Sequence, residues 1–212
     1  MSENDFLKRV YADEERDTAS FYNEWAATYD ADLEGNGYLA PKRCADALAL
    51  VDPTKACPIA DLGCGTGLSG VAFRAAGFAT IDGYDISVGM LELAKQRGCY
   101  RHTAIADLSD ASTIPARGYK HAALTGVVGP DQVGPETVDL ALSLLPVGGC
   151  VVLTLNDKAL RFPEYPDHMH ALADRGAAEL AFEEYGPHIP ERDIGATIYV
   201  LKKALLNVTR NT

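Results

Sequence analysis

The sequence predicts an α/β fold in which helices cover an open, mostly parallel β-sheet that ends in a β-hairpin at one edge. Three observations carry this. From "CPIADLG" to the "PDHMHALADRG" region, short apolar runs alternate with helices of about ten residues, the pattern of right-handed βαβ units. In the last third, "AAELAFEEYG" and "ATIYVLKKALL" both alternate as strands; the "PHIPERDIG" between them is too short for a crossover helix, so they pair antiparallel. The chain has 212 residues, 47% hydrophobic and 23% charged, which suits one well-buried domain and is short for two.

The elements follow in order. Residues 1–40 read as an acidic leader and a lid helix, and 41–212 as the α/β body, one structural domain overall. "DEERDTASFYNEWAATYDADL" places aromatics at 21, 22, 25 and 29, a helical stripe. "APKRCADALALV" is a helix with Pro41 in its first turn. Then come strand "CPIADLG" and helix "GLSGVAFRAAG", strand "ATIDGYDIS" and helix "SVGMLELAKQRG", and strand "YRHTAIADL". Strand "YKHAALTGVVG" leads into helix "GPETVDLALSLLP", and "GGCVVLTLN" into the "PDHMHALADRG" region.

Composition narrows the function. Thirty acids against 19 bases give a net charge of −11, and no basic stripe offers phosphates a track, so nucleic acid is not an expected partner. No apolar stretch approaches the roughly 20 residues of a membrane helix, and the charged start lacks the apolar core of a secretory signal. A cytoplasmic protein is expected. Its five cysteines, Cys44, Cys57, Cys64, Cys99 and Cys150, show no paired spacing and read as reduced, buried thiols with no metal site.

In an open α/β sheet, ligands bind beyond the carboxyl ends of the strands. Strand 1 ends at Asp61 and the turn Gly63-Cys64-Gly65-Thr66-Gly67; strand 2 ends at Asp85, strand 3 at Asp107 and strand 4 at Thr125-Gly126. Asp85 is placed to accept from two ribose hydroxyls, Ile86 to face an adenine, and Asp107 to accept from its amino group. The glycines let backbone approach closely and leave N–H groups free at a helix start. Residues 65–70 also match G-x-G-x-x-G, which opens an NAD-dependent oxidoreductase as an alternative. Asp61 opposes it, because a carboxylate beside the loop repels a pyrophosphate and attracts a sulfonium or ammonium. The spacing agrees, for Asp85 follows Gly63 by 22 positions but Gly70 by only 15.

"DLGCGTG", "GYDIS" and "IADL" together resemble the class I S-adenosylmethionine-dependent methyltransferases. "FYNEWAATYD", "GYLAPKRCADAL" and "GFATIDGYDISVGMLELAKQRGCYR" are similar to the Williams–Beuren syndrome region methyltransferase-like group within them. The resemblance implies a Rossmann-like three-layer sandwich with a seven-stranded sheet in order 3-2-1-4-5-7-6, strand 7 antiparallel. It implies S-adenosylmethionine as methyl donor and S-adenosylhomocysteine as product. It puts Asp61, Gly63, Cys64, Gly65 and Gly67 around the methionine and ribose, Asp85 on the ribose, and Ile86, Met90, Ala106, Asp107 and Leu108 about the adenine. Thr125 and Gly126 line the methionine, and Tyr22, Trp25 and Tyr29 close over it. Relatives often carry a histidine soon after strand 4, where this chain reads "GVVGPDQV", with Asp131 and Gln132.

The expected activity is metal-independent transfer of a methyl group to a small-molecule acceptor by in-line displacement. A protein that binds S-adenosylmethionine without turnover is the other alternative. If the acceptor must lose a proton, His168, His170 and His188 are candidate bases, each with a surface or capping role as the competing reading. His102 and His121 start their strands, away from the site.

Overall fold

The computed structural model describes Phe6, Arg9 and residues 18–205; the rest of the expected leader lies outside the described residues. Seven strands form one sheet in the order β3-β2-β1-β4-β5-β7-β6. They are β1 Ile59–Leu62, β2 Ile81–Asp85, β3 His102–Ile105, β4 His121–Leu124, β5 Cys150–Asn156, β6 Ala178–Ile189 and β7 Ile194–Lys203. The first five run parallel, and β7 is antiparallel to both β5 and β6. This is the architecture expected above, down to the strand order.

The helices are α1 Thr18–Trp25, α2 Tyr29–Glu34, α3 Ala40–Val51, α4 Leu68–Ala75, α5 Val88–Gln96, α6 Thr137–Ser143, α7 Asp157–Leu160 and α8 Glu164–Asp174. Their apolar stripes bury two cores on opposite faces of the sheet. One contains Val138 and Ala141 of α6 with Met169 and Leu172 of α8. The other contains Cys44 and Leu48 of α3 with Phe73 of α4. Period-2 alternation along the strands feeds both: Ala122 and Leu124 join the first core, and Ala123 between them joins the second.

Two boundaries differ from the sequence reading. The aromatic stripe is two helices, broken by a turn at 26–28. Thr28 Oγ1 and Trp25 Nε1 both donate to Asp32 Oδ2, at 3.0 and 2.8 Å, which ties the turn to the second helix. The hairpin loop is also shorter, because β6 continues through Pro187-His188-Ile189, leaving only 190–193 to turn with Asp193 left-handed at φ 54°. A register shift beside Pro187, which has no N–H to donate, lets the strand accommodate it. Among the described residues no helix is long and apolar enough to cross a membrane.

Arg43 of α3 ties this hairpin to the body. Its guanidinium donates to the carbonyls of Pro187 (3.1 Å), Ala196 (2.9 Å) and Glu184 (2.9 Å). Arg43→Met is therefore expected to lower unfolding free energy by about 1–3 kcal/mol, the cost of one part-buried acceptor, Ala196 O, left unpaired, since the other two carbonyls are exposed and take water. Urea titration checks this through the midpoint, with the slope unchanged.

Candidate functional site

The carboxyl ends of β1 to β4 open into a cavity of about 260 Å³ beneath α1 and α2. Gly63 and Gly65 enter it from the loop after β1, Asp85 and Ile86 from the end of β2, and Met90 from α5. Ala106, Asp107 and Leu108 follow β3, Thr125 and Gly126 follow β4, and Tyr22 and Tyr29 face it from the lid. Ser109, Val127, Gln132 and Val133 also line it, and none of these four was expected there.

Four expected residues do not line the cavity. Asp61 is fully buried beneath the loop, where its Oδ2 accepts from Ser69 Oγ at 2.6 Å and from the Tyr100 hydroxyl at 2.7 Å. Its Oδ1 has no partner among the described residues. Burial pushes its pKa up to about 6, the Ser69 and Tyr100 hydrogen bonds pull against that, and neighbouring Asp85 adds to it. Cys64 packs with Leu91 and Ala94, its sulfur toward Gly83 of β2. Gly67, at φ 94°, caps α4 where a side chain would meet Arg97 and Tyr100, each at 3.1 Å. Trp25 is the hub of the lid's own core, against Phe6, Phe21, Tyr22 and Tyr29.

The glycine loop does not leave its amides free, as its sequence suggests. Gly63 and Cys64 N–H both donate to Tyr84 O, at 2.7 and 2.9 Å, and Gly67 N–H donates to Cys64 O at 2.9 Å. Gly65 N–H donates to Asp85 Oδ2 at 2.8 Å, and Gly70 N–H to the Tyr100 hydroxyl at 3.1 Å. The end of β2, the Tyr100 hydroxyl and the turn's own Cys64 carbonyl take up these five donors, so they are not free to cradle a phosphate.

Asp85 is fixed from both sides, since Ser87 N–H also donates to its Oδ1 at 2.8 Å. Each carboxylate oxygen keeps acceptor capacity for a ligand. Burial raises the Asp85 pKa, opposed by these backbone bonds. Asp107 is exposed; its Oδ1 accepts from Ser109 N–H at 2.9 Å and Ser109 Oγ at 2.7 Å, which lowers its pKa. No lysine or arginine lines the cavity among the described residues.

The lid is anchored at three points. Asn23 Oδ1 accepts from Ser87 Oγ at 2.6 Å and from Gly89 N–H at 3.1 Å at the start of α5. Asp30 accepts from Thr66 Oγ1 in the glycine loop and from Arg97. Gln132 Nε2 donates to the Tyr22 hydroxyl at 2.6 Å and to Gly126 O at 3.0 Å, joining the lid to the end of β4.

None of the three candidate histidines lines the cavity. His168 bonds Asp139 across α8 and α6, and His170 lies 3.5 Å from Glu183 on the β6 side. His188 is buried edge-on to Tyr38, and burial drives its pKa down to about 4. Helical spacing alone left the facing of α8 open, and α8 turns these side chains toward its neighbours. His121, at the opposite end of the sheet, bonds Asp52 at 2.8 Å, with Cys57 beside them.

The strand order and the cavity at the strand ends are those of the class I S-adenosylmethionine-dependent methyltransferase fold. Residues 59–128 match the family described as methyltransferase domain. The chain is 34% identical over 158 residues to human Methyltransferase-like protein 27, covering 73% of this chain and 64% of that protein. It is 28% identical over 139 residues to dTDP-3-amino-3,6-dideoxy-alpha-D-glucopyranose N,N-dimethyltransferase of Streptomyces fradiae, covering 63% of this chain and 54% of that one. The chain thus spans less than two thirds of either relative. Among solved structures, a methyltransferase from Thiobacillus denitrificans in complex with S-adenosyl-L-homocysteine superposes with a TM-score of 0.59 at 13% identity, covering 90% of this chain and 100% of that one.

The buried Asp61 sets a pH signature. Its carboxylate is harder to ionise folded, at about 6, than at the ordinary 3.8 of an unfolded chain. The resulting destabilisation is absent below about pH 4, grows as pH rises through 4 to 6, and is complete above. Asp61→Asn is expected to melt higher than wild type at pH 7.5 without ligand, by at most about 3 kcal/mol, and to lose that advantage near pH 4. Thermal melts across this range check it; a difference independent of pH would contradict it.

Proposed function

We propose that this protein transfers the methyl group of S-adenosylmethionine to a small-molecule acceptor in the cytoplasm, without a metal ion. The observation that carries the reading is the charge of the cavity. Asp85 and Asp107 line it, Asp61 lies beneath its floor, and no cationic side chain answers them among the described residues. With five loop amides engaged internally, the site disfavours a pyrophosphate and suits a cationic, phosphate-free nucleoside. The Streptomyces relative, named for an N,N-dimethyltransferase of an amino sugar nucleotide, supports a small-molecule acceptor.

The residues present fit that cofactor. Asp85, braced by Gly65 and Ser87, would hold the ribose hydroxyls; Ile86, Met90 and Leu108 would give the adenine apolar faces, and Asp107 would accept from its amino group. Thr125, Gly126 and the Gly63–Gly65 turn would hold the methionine end, and the unpartnered oxygen of Asp61 would be available to its positive charge. When bound, the sulfonium supplies an already activated methyl carbon. The chain's contribution is positioning, because much of the acceleration of an in-line displacement comes from alignment at near-attack distance. Tyr22 and Tyr29, locked down through Gln132, Asn23 and Asp30, close the cavity against water and bound the space left for the acceptor.

Calorimetric titration tests the assignment. S-adenosylmethionine and S-adenosylhomocysteine are expected to bind with one site and NADH not to bind. Asp85→Ala should weaken the nucleosides about 10- to 100-fold, the value of hydrogen bonds to a charged group. Folded protein that binds NADH and neither nucleoside would overturn the assignment.

A further inference from the structure

We infer that Tyr100, which lies outside the cavity, is a positioning residue of the cofactor site: its hydroxyl fixes the Asp61 carboxylate so that Oδ1 is the oxygen left for the cationic end of the cofactor. This rests on the reading just proposed and extends it to a residue that touches neither cofactor nor acceptor.

The geometry is specific. The Tyr100 hydroxyl donates to Asp61 Oδ2 at 2.7 Å and accepts from Gly70 N–H at 3.1 Å, so it bridges the end of β1 and the first turn of α4. Ser69 Oγ donates to that same Oδ2 at 2.6 Å. Two donors on one oxygen fix the carboxylate's rotation and leave Oδ1 buried with no partner among the described residues. An unpaired buried carboxylate oxygen is costly unless a ligand completes it.

The surrounding glycines make room for this ring. A Cβ on Gly70 would sit 2.5 Å from the Tyr100 hydroxyl oxygen, one on Gly83 of β2 3.1 Å from its Cε1, and one on Gly67 3.1 Å from its Cε2. Three glycines from three elements thus define one slot. The last glycine of G-x-G-x-x-G serves the tyrosine and, through it, the orientation of Asp61.

The groups that bear on Asp61 are Ser69 of α4, Tyr100 before β3, Asp85 at the end of β2, Cys64 in the loop, Cys99 beside Tyr100, and Cys44 of α3. Of these, Tyr100 and Ser69 hydrogen-bond the ionised carboxylate and favour it, whereas Asp85 opposes it. Removing the phenol hydroxyl while keeping the ring therefore shifts ionisation of Asp61 to higher pH and leaves the slot filled.

The test is S-adenosylhomocysteine affinity of the whole chain, measured by calorimetry from pH 5 to 8 for wild type, Tyr100→Phe, Ser69→Ala and Asp61→Asn. Wild type should lose affinity toward tenfold per pH unit below about pH 6, as uptake of one proton requires. Tyr100→Phe should move that midpoint up by about one unit, losing about five- to tenfold at pH 6 while staying within about twofold of wild type at pH 8. Ser69→Ala should shift it in the same direction and serves in place of Tyr100→Phe if that variant melts early. Asp61→Asn should lose the step near pH 6 and keep only the dependence that Asp85 confers. A Tyr100→Phe profile that overlays wild type, or is lowered equally at every pH, overturns the inference, as does an unchanged step near pH 6 in Asp61→Asn. Wild type that binds no S-adenosylhomocysteine at any pH instead overturns the cofactor assignment itself.

Discussion

A fully buried carboxylate held by two hydroxyls is the constraint on which the site is built. Asp61 lies one residue before the end of β1, Ser69 in the first turn of α4 and Tyr100 just before β3, so their contact sets how three elements of the α/β body meet. Around them the chain uses Gly67, Gly70 and Gly83 where bulkier residues would collide with the tyrosine ring. The loop between β1 and α4 is then pinned to β2, with amides donated to Tyr84 and Asp85 and one to its own Cys64. The charged groups that face the cavity are the carboxylates of Asp85 and Asp107, set among apolar side chains and glycine backbone, a surface that favours positive charge over phosphate.

The lid completes this surface by resting on the same elements. Asn23 reaches the start of α5, Asp30 the glycine loop and Arg97, and Tyr22 the Gln132 side chain that also holds Gly126. Each anchor joins a lid residue to a segment that also lines or supports the nucleoside site. Closure of the cavity and order in the floor are thereby parts of one network.

Much of this was legible in the sequence. Alternating apolar runs and helices gave the parallel sheet, and two strands without a crossover gave the terminal hairpin. The resemblance, and not the spacing, supplied the order of the strands. Asp85, Ile86 and Asp107 could be placed because strand ends converge at one edge of such a sheet. Tyr100 could not, since a lone aromatic between a helix and a strand carries no periodic signal; the unexplained Gly70 and the mid-strand Gly83 were its only trace. Gln132 lay in a loop whose path local sequence does not fix. Trp25 shared a stripe with Tyr22 and Tyr29, yet the break at 26–28 turned it into the lid's core. The three histidines lie off the cavity, and spacing along α8 and β6 does not say which neighbour a side chain meets.

The most direct measurement is a crystal structure of the whole chain with S-adenosylhomocysteine. The account predicts the ribose on Asp85, the adenine between Ile86 and Leu108, and the amino group of the homocysteine nearest Asp61, with Ser69 and Tyr100 still on Oδ2. Ligand density elsewhere, or an Asp61 released from Tyr100 on binding, would contradict it.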